Sequence, residues 1–235
     1  MPKHLVKALQ GLKNRVLSLG GMVEERVRMA NRSMALRDIA LAEKVISTDY
    51  EIDDLEVEVE EECLKIIALH QPVAGDLRFL TAVIKINNDL ERIGDEAVNI
   101  ARCVRTICSQ ESVAFSVDFA PMSEKTQSML KMSLDALVNM DLDTAFRVLT
   151  LDDEVDEIYS LIYDESKAAI RRNPDRVGYL INLLLIARHL ERVADHATNI
   201  AEEVIYMVEG EIIRHGKWEL QDQGPGTQSR SAPQK

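Results

Sequence analysis

Little in this chain punctuates or cross-links it: 235 residues hold ten glycines, six prolines and three cysteines, and aromatics make up only 4%. Cys63, Cys103 and Cys108 are an odd number without CxxC spacing. That excludes a disulfide framework or a zinc ribbon, and leaves reduced packing residues of a cytoplasmic protein. The shortage of aromatic and β-branched runs bounded by turn residues excludes a sandwich or a barrel. Basic residues are outnumbered 28 to 40, for a net charge of −12. Without a basic stripe to neutralise phosphates, no nucleic acid is expected as a partner. No apolar run reaches the 18 or so residues of a membrane span. The opening stretch MPKHLVKALQGLKNRV lacks the apolar core and cleavage site of an export signal. A membrane is therefore expected to be met only through partners. The stripe Leu5, Leu9, Leu12, Val16 and Leu19 within that stretch is read as core packing rather than lipid contact. Phosphate loops, GxGxxG turns, HExxH and GxSxG elbows are all missing, and the expectation is a protein that is not an enzyme.

What is present is Leu, Ile, Val, Ala and Met mixed with charged residues, the composition of long packed helices. The sequence also repeats itself. Residues 90–101 (LERIGDEAVNIA) and 190–201 (LERVADHATNIA) share eight of twelve positions at an offset of 100. Upstream, DYEIDDL (49–55) echoes DDEVDEI (152–158) at an offset of 103. Two echoes in one order at nearly one offset mean two copies of a unit. Interruptions near 31–33, 71–75, 109–121, 139–143 and 173–174 divide each copy into three. They predict helices near 3–31, 36–70, 75–108, 120–139, 142–171 and 175–213. The fold class expected is all-α, two tandem pseudo-symmetric bundles of three long antiparallel helices. Residues 1–108 form the first repeat and 109–213 the second, followed by a polar tail over 214–235 expected to be disordered.

Val83, Ile86, Leu90, Ile93, Ala97, Ile100, Val104 and Ile107 recur every three or four residues. Leu183, Ile186, Leu190, Val193, Ala197, Ile200, Val204 and Met207 do the same, and such a seam is what a helix buries in a bundle. On that register Glu91 and Asp95 stand one above the other away from the seam, with Asn99 a turn further on. Glu191, Asp195 and Asn199 repeat the arrangement. Asp49 and Asp53 flank the second-helix stripe of Leu41, Val45, Ile52, Leu55 and Val59, as Asp152 and Asp156 flank Leu151, Val155 and Ile158. Like charges four apart cost a helix a few tenths of a kcal/mol, so pairs repeated on two helices of each copy suggest a use. Carboxylates with an amide carbonyl make a hard oxygen site for magnesium, manganese, calcium or iron. The alternative is an ordinary solvated face of an acidic protein. Arg92 and Arg192 are read either as holding each cluster in place or as surface partners of Asp95 and Asp195. His196, facing Glu96 in the alignment of copies, reads as a lone surface histidine.

At these residues the chain resembles the PhoU family of phosphate-signalling regulators. Its paired acidic motifs match Glu91–Asp95 and Glu191–Asp195, with Asp49–Asp53 and Asp152–Asp156 as companions. QPVAGDLRFL (71–80), Lys85 and DLERIGDEA (89–97) look like the first-copy signature, and RHLERVADHATNIAEEV (188–204) like the second. The resemblance spans roughly residues 3–213. It implies two three-helix bundles carrying surface-bound multinuclear clusters of iron, with magnesium, manganese, zinc or calcium as other cations. It also implies a negative regulator of phosphate uptake and the phosphate-starvation response, acting as a homodimer in many members. Such a regulator couples the ATPase subunit of a phosphate ABC transporter to a sensor histidine kinase. Two other classes stand beside that reading. A ferritin-like di-iron oxidase or store would need Glu-x-x-His pairs inside a bundle, and none of the five histidines has a glutamate three residues before it. A metal-free helical interaction module would need no site at all.

Overall fold

The computed structural model describes residues 3–110 and 115–210. The tail expected over 214–235 lies outside the described residues. Within them the chain is all-α: α1 (Lys3–Leu36), α2 (Ile39–Ser47), α3 (Tyr50–His70), α4 (Gly75–Cys108), α5 (Ala120–Asn139), α6 (Leu142–Arg172) and α7 (Val177–Glu209). A single 3-10 turn over Pro174–Arg176 leads into α7.

The first unit packs α1 against α2, α3 and α4, and the second packs α5 against α6 and α7. The two units meet chiefly along α4 and α7, with α1 against α5 beside them. Every seam residue expected on α4 and α7 is buried, and so are Leu5, Leu12, Val16 and Leu19 of the N-terminal stripe, which serve the core as expected. Gly20 lets α1 approach α5 closely, since a Cβ there would meet Leu134 Cδ2 at 2.8 Å.

Two boundaries differ from those read in the sequence. The interruption expected near 31–33 is continuous helix, because Asn31 and Ser33 are buried and Ser33 Oγ donates back to the Ala30 carbonyl at 2.7 Å. The chain turns instead at Arg37, in the left-handed region at φ 52°. Asp38 then caps α2 by accepting the Leu41 N–H at 3.0 Å. The second difference is that the predicted helix 36–70 is two helices. Ser47 and Thr48 both donate their hydroxyls to the Lys44 carbonyl, at 3.2 and 2.8 Å. Buried Arg26 donates to the Val45 carbonyl at 3.3 Å and to Glu51 Oε2 at 3.1 Å. Side chains that occupy helix carbonyls compete with the backbone ladder, and the helix breaks at Thr48–Asp49. In the second copy α6 runs unbroken through the matching Leu151–Asp152.

Candidate metal centres

The acidic faces are positioned by the cores beneath them. Ile52 of α3 and Gly94 of α4 are both buried, and a Cβ on Gly94 would lie 3.1 Å from Ile52 Cδ1 and 3.3 Å from its Cγ2. That close approach brings the backbones together just where Asp49 and Asp53 on one side meet Glu91 and Asp95 on the other. In the second copy the counterparts are Val155 and Ala194, both buried. One carbon has moved from the larger partner to the smaller, so the pair keeps its volume.

The eight carboxylates gather into two groups, one per copy, each on a half-exposed or exposed surface. Burial raises Asp49, and Asp53 and Asp95 raise it further. Glu91 is raised by burial, then by Asp95 and Asp53, and Asp95 by burial and then Asp53. In the second group burial pushes Asp152 up to about 6, with Asp195, Asp156 and Glu191 adding to it. Glu191 is raised by burial, Asp195 and Asp156, and Asp195 by burial and Asp156. Each raised carboxyl is thus pushed further by acids of its own copy. Among the described residues none of the eight forms an ion pair. Such groups gain by meeting a cation that neutralises them together.

Glu56 joins the first group, raised by burial and then by Glu60 and Asp53. Its Oε1 accepts from the buried Asn87 amide at 2.7 Å. The asparagines are turned elsewhere. Asn99 Oδ1 accepts from Arg102 Nη1 at 3.0 Å, and Asn199 Nδ2 donates to Asp89 Oδ1 at 3.0 Å. As the side chains stand, no three His, Cys, Asp or Glu among the described residues are set to hold one ion. The donor chemistry fits a hard cation, and the carboxylates would have to turn toward it. Like charges without an ion are expected to hold apart.

Sequence reading missed a second constellation, which joins the copies. Glu96, 3% exposed, receives His189 Nδ1 at 2.6 Å and Arg192 Nε at 2.8 Å from α7. Asp89 of α4 lies 2.8 Å from His196 Nδ1. His196 is therefore not the lone surface histidine expected. Its side chain is 12% exposed and paired across the interface, because α7 lies against α4 there. Arg192 likewise reaches across to Glu96 rather than holding Asp195. The signal lay in the repeat itself: positions 89 and 96 are acids in the first copy, and 189 and 196 are histidines in the second. Lys85 and Glu203 extend the same antiparallel contact at 3.1 Å.

Comparison with known proteins agrees with this architecture. A family model described as the PhoU domain matches twice, over residues 16–104 and 119–204. A phosphate-specific transport system accessory protein PhoU homolog of Aquifex aeolicus is 38% identical over 211 residues, covering 90% of this chain and 96% of that one. One from Pseudomonas aeruginosa is 36% identical over 208 residues, covering 88% and 86%. The crystal structure of PhoU from Pseudomonas aeruginosa superposes with a TM-score of 0.84 at 35% identity, covering 87% of this chain and 99% of that one. The phosphate transport system regulatory protein PhoU from Streptococcus pneumoniae gives 0.78 at 30%, covering 88% and 98%.

Proposed function

We propose that this chain, which belongs to the PhoU family, is an accessory protein of phosphate transport that restrains phosphate uptake and the phosphate-starvation response. It works as a non-catalytic, cytoplasmic, homodimeric adaptor between the ATPase subunit of a phosphate ABC transporter and a sensor histidine kinase. The relatives' names as phosphate-specific transport system accessory proteins support the phosphate-transport part. No helix among the described residues is long and apolar enough to cross a membrane. The observation that carries the adaptor reading is the pair of carboxylate groups that face outward with no ion partners among the described residues.

In this reading Asp49, Asp53, Glu91 and Asp95 hold one multinuclear cluster, and Asp152, Asp156, Glu191 and Asp195 the other, with Asn99 and Asn199 at their margins. Iron is the leading cation. The bound cations would supply positive charge to each face. The chain's own part is to hold two acid-bearing helices side by side, so that a partner meets a rigid, charged surface. A ferritin-like site is disfavoured, because these acids lie outside the bundles rather than among the seam residues.

Elemental analysis of chelator-free protein tests the metal part. Asp95→Ala should lose the metal of the first copy and Asp195→Ala that of the second. Equal metal content in both variants and the parent would sink it. The competing reading, a metal-free interaction module, is favoured by the absence of three ready-placed ligands among the described residues. Deleting the gene in phosphate-rich medium should switch on phosphate-scavenging genes, and unchanged expression would overturn the regulatory part.

A further inference from the structure

A cavity of about 550 Å³ opens where the end of α1, the segment before α5 and the start of α7 come together. That is within the ordinary size of a small-molecule site, roughly 300–1,000 Å³. It lies away from both carboxylate groups and is built at a junction of the two copies.

Its inner wall carries polar groups that nothing among the described residues satisfies. Asn31 is 5% exposed and Ser123 6% exposed. Among the described residues neither Nδ2 nor Oδ1 of Asn31 has a hydrogen-bond partner, nor has Ser123 Oγ. Both residues line the cavity. A buried amide left unpaired forfeits its hydration with nothing in return, and protein interiors rarely keep one without reason. Asn31 offers a donor and an acceptor side by side, the complement of a planar edge bearing an acceptor and a donor.

The rest of the cavity sorts by depth. Phe119 and Ile107, both buried, add apolar wall to the cavity. At the mouth stand Arg32 and Arg37, both exposed. Arg37 Nη2 is held toward the cavity by donating to the hydroxyl of Tyr179, itself a lining residue, at 2.9 Å. A third arginine, Arg28, is occupied by Glu25 at 2.6 Å. Of the acids at the rim, Asp118 is engaged with the Ala120 N–H at 3.0 Å, and Glu124 is exposed.

The geometry points to a binding site for a nucleoside monophosphate or an anionic heterocycle of that size. Its base edge pairs with Asn31 and Ser123 and its phosphate lies against Arg32 and Arg37. The inference is independent of the metal reading, since no residue is shared.

The test is a titration of the full chain with AMP and with GMP, without added divalent cation so that phosphate is not drawn to the carboxylates. It is followed by nuclear magnetic resonance of the Asn side-chain amides. One of the two nucleotides should shift the Asn31 amide and saturate at or below about 1 mM, a typical weak-metabolite affinity. Asn31→Ala should weaken it about tenfold, as loss of paired hydrogen bonds predicts. The exposed Arg37→Ala should weaken the nucleotide more than the bare nucleoside. The proposal is overturned if neither nucleotide moves the Asn31 signal at about 5 mM, well past that range. It is equally overturned if inorganic phosphate binds as tightly as the nucleotides, or if Asn31→Ala binds them unchanged.

Discussion

At the scale of single residues, the chemistry of this protein is set by carboxylates that are uncomfortable in company. Asp152 is the extreme case, pushed up to about 6 by burial and by Asp195 and Asp156. A carboxyl raised in the folded chain holds its proton more tightly there than when unfolded. Folded-state stability from this group is therefore full below the ordinary aspartate range and is lost as pH rises through about 6. Asp152→Asn removes the penalty and should stabilise metal-free protein at pH 7.5 by about 1 kcal/mol, after discounting for solvent screening at this half-exposed site. Chemical denaturation at pH 7.5 and pH 4 checks it: the gain should vanish at the lower pH. Under the proposed metal reading a cation would have to displace the same proton, so its binding to the second copy should weaken as pH falls through about 6. Glu96 runs the other way. Burial raises it, but the His189 hydrogen bond and charge, with Arg192, outweigh burial and hold it below the usual glutamate range. Its contribution is present above the unfolded value and is lost only in acid, as pH falls through that lowered range.

At the scale of elements, the helices owe their ends to side chains the sequence shows and their continuity to contacts it does not. Asp38→Ala removes the cap of α2 and should cost about 1 kcal/mol in a urea titration. The α3–α4 approach makes a sharper prediction. Gly94→Ala forces a methyl against Ile52 and should cost about 1–3 kcal/mol. Pairing it with Ile52→Val reproduces the second copy's Val155 and Ala194, and should recover about 1 kcal/mol of coupling in a double-mutant cycle. Additive losses would mean that the two copies settle their packing by different routes. The seams of α4 and α7 were legible residue by residue because period alone fixes a buried stripe. The break at Thr48–Asp49 was not, since it depends on Arg26 reaching over from another helix to take the Val45 carbonyl. The missing break at 31–33 has the same origin. Asn and Ser read as helix enders, yet both are buried between helices brought together only by folding.

At the scale of the whole molecule, the duplication was plain from two echoes, and so was the outward placing of the acids. What local pattern could not show was how one copy meets the other. Glu96 and His189 are 93 residues apart, Asp89 and His196 107. Neither pair has any period to betray it. A charge swap tests this joint. Glu96→His and His189→Glu should each lower stability by about 1–3 kcal/mol, the cost of leaving a buried polar group without its partner. Together they should recover at least half of the loss, read as the midpoint of thermal unfolding. No recovery would mean that Arg192 rather than His189 governs Glu96.

That joint also gives the duplicated chain a direction. The contact is pseudo-twofold, yet one half supplies only acids and the other only imidazoles at the matching sites. Two first halves laid together in the same way would set Asp89 against Glu96 twice, carboxylate facing carboxylate. Two second halves would meet histidine to histidine. Each half therefore recognises its opposite and rejects its own kind, so a structure born from copying can no longer be built from copies.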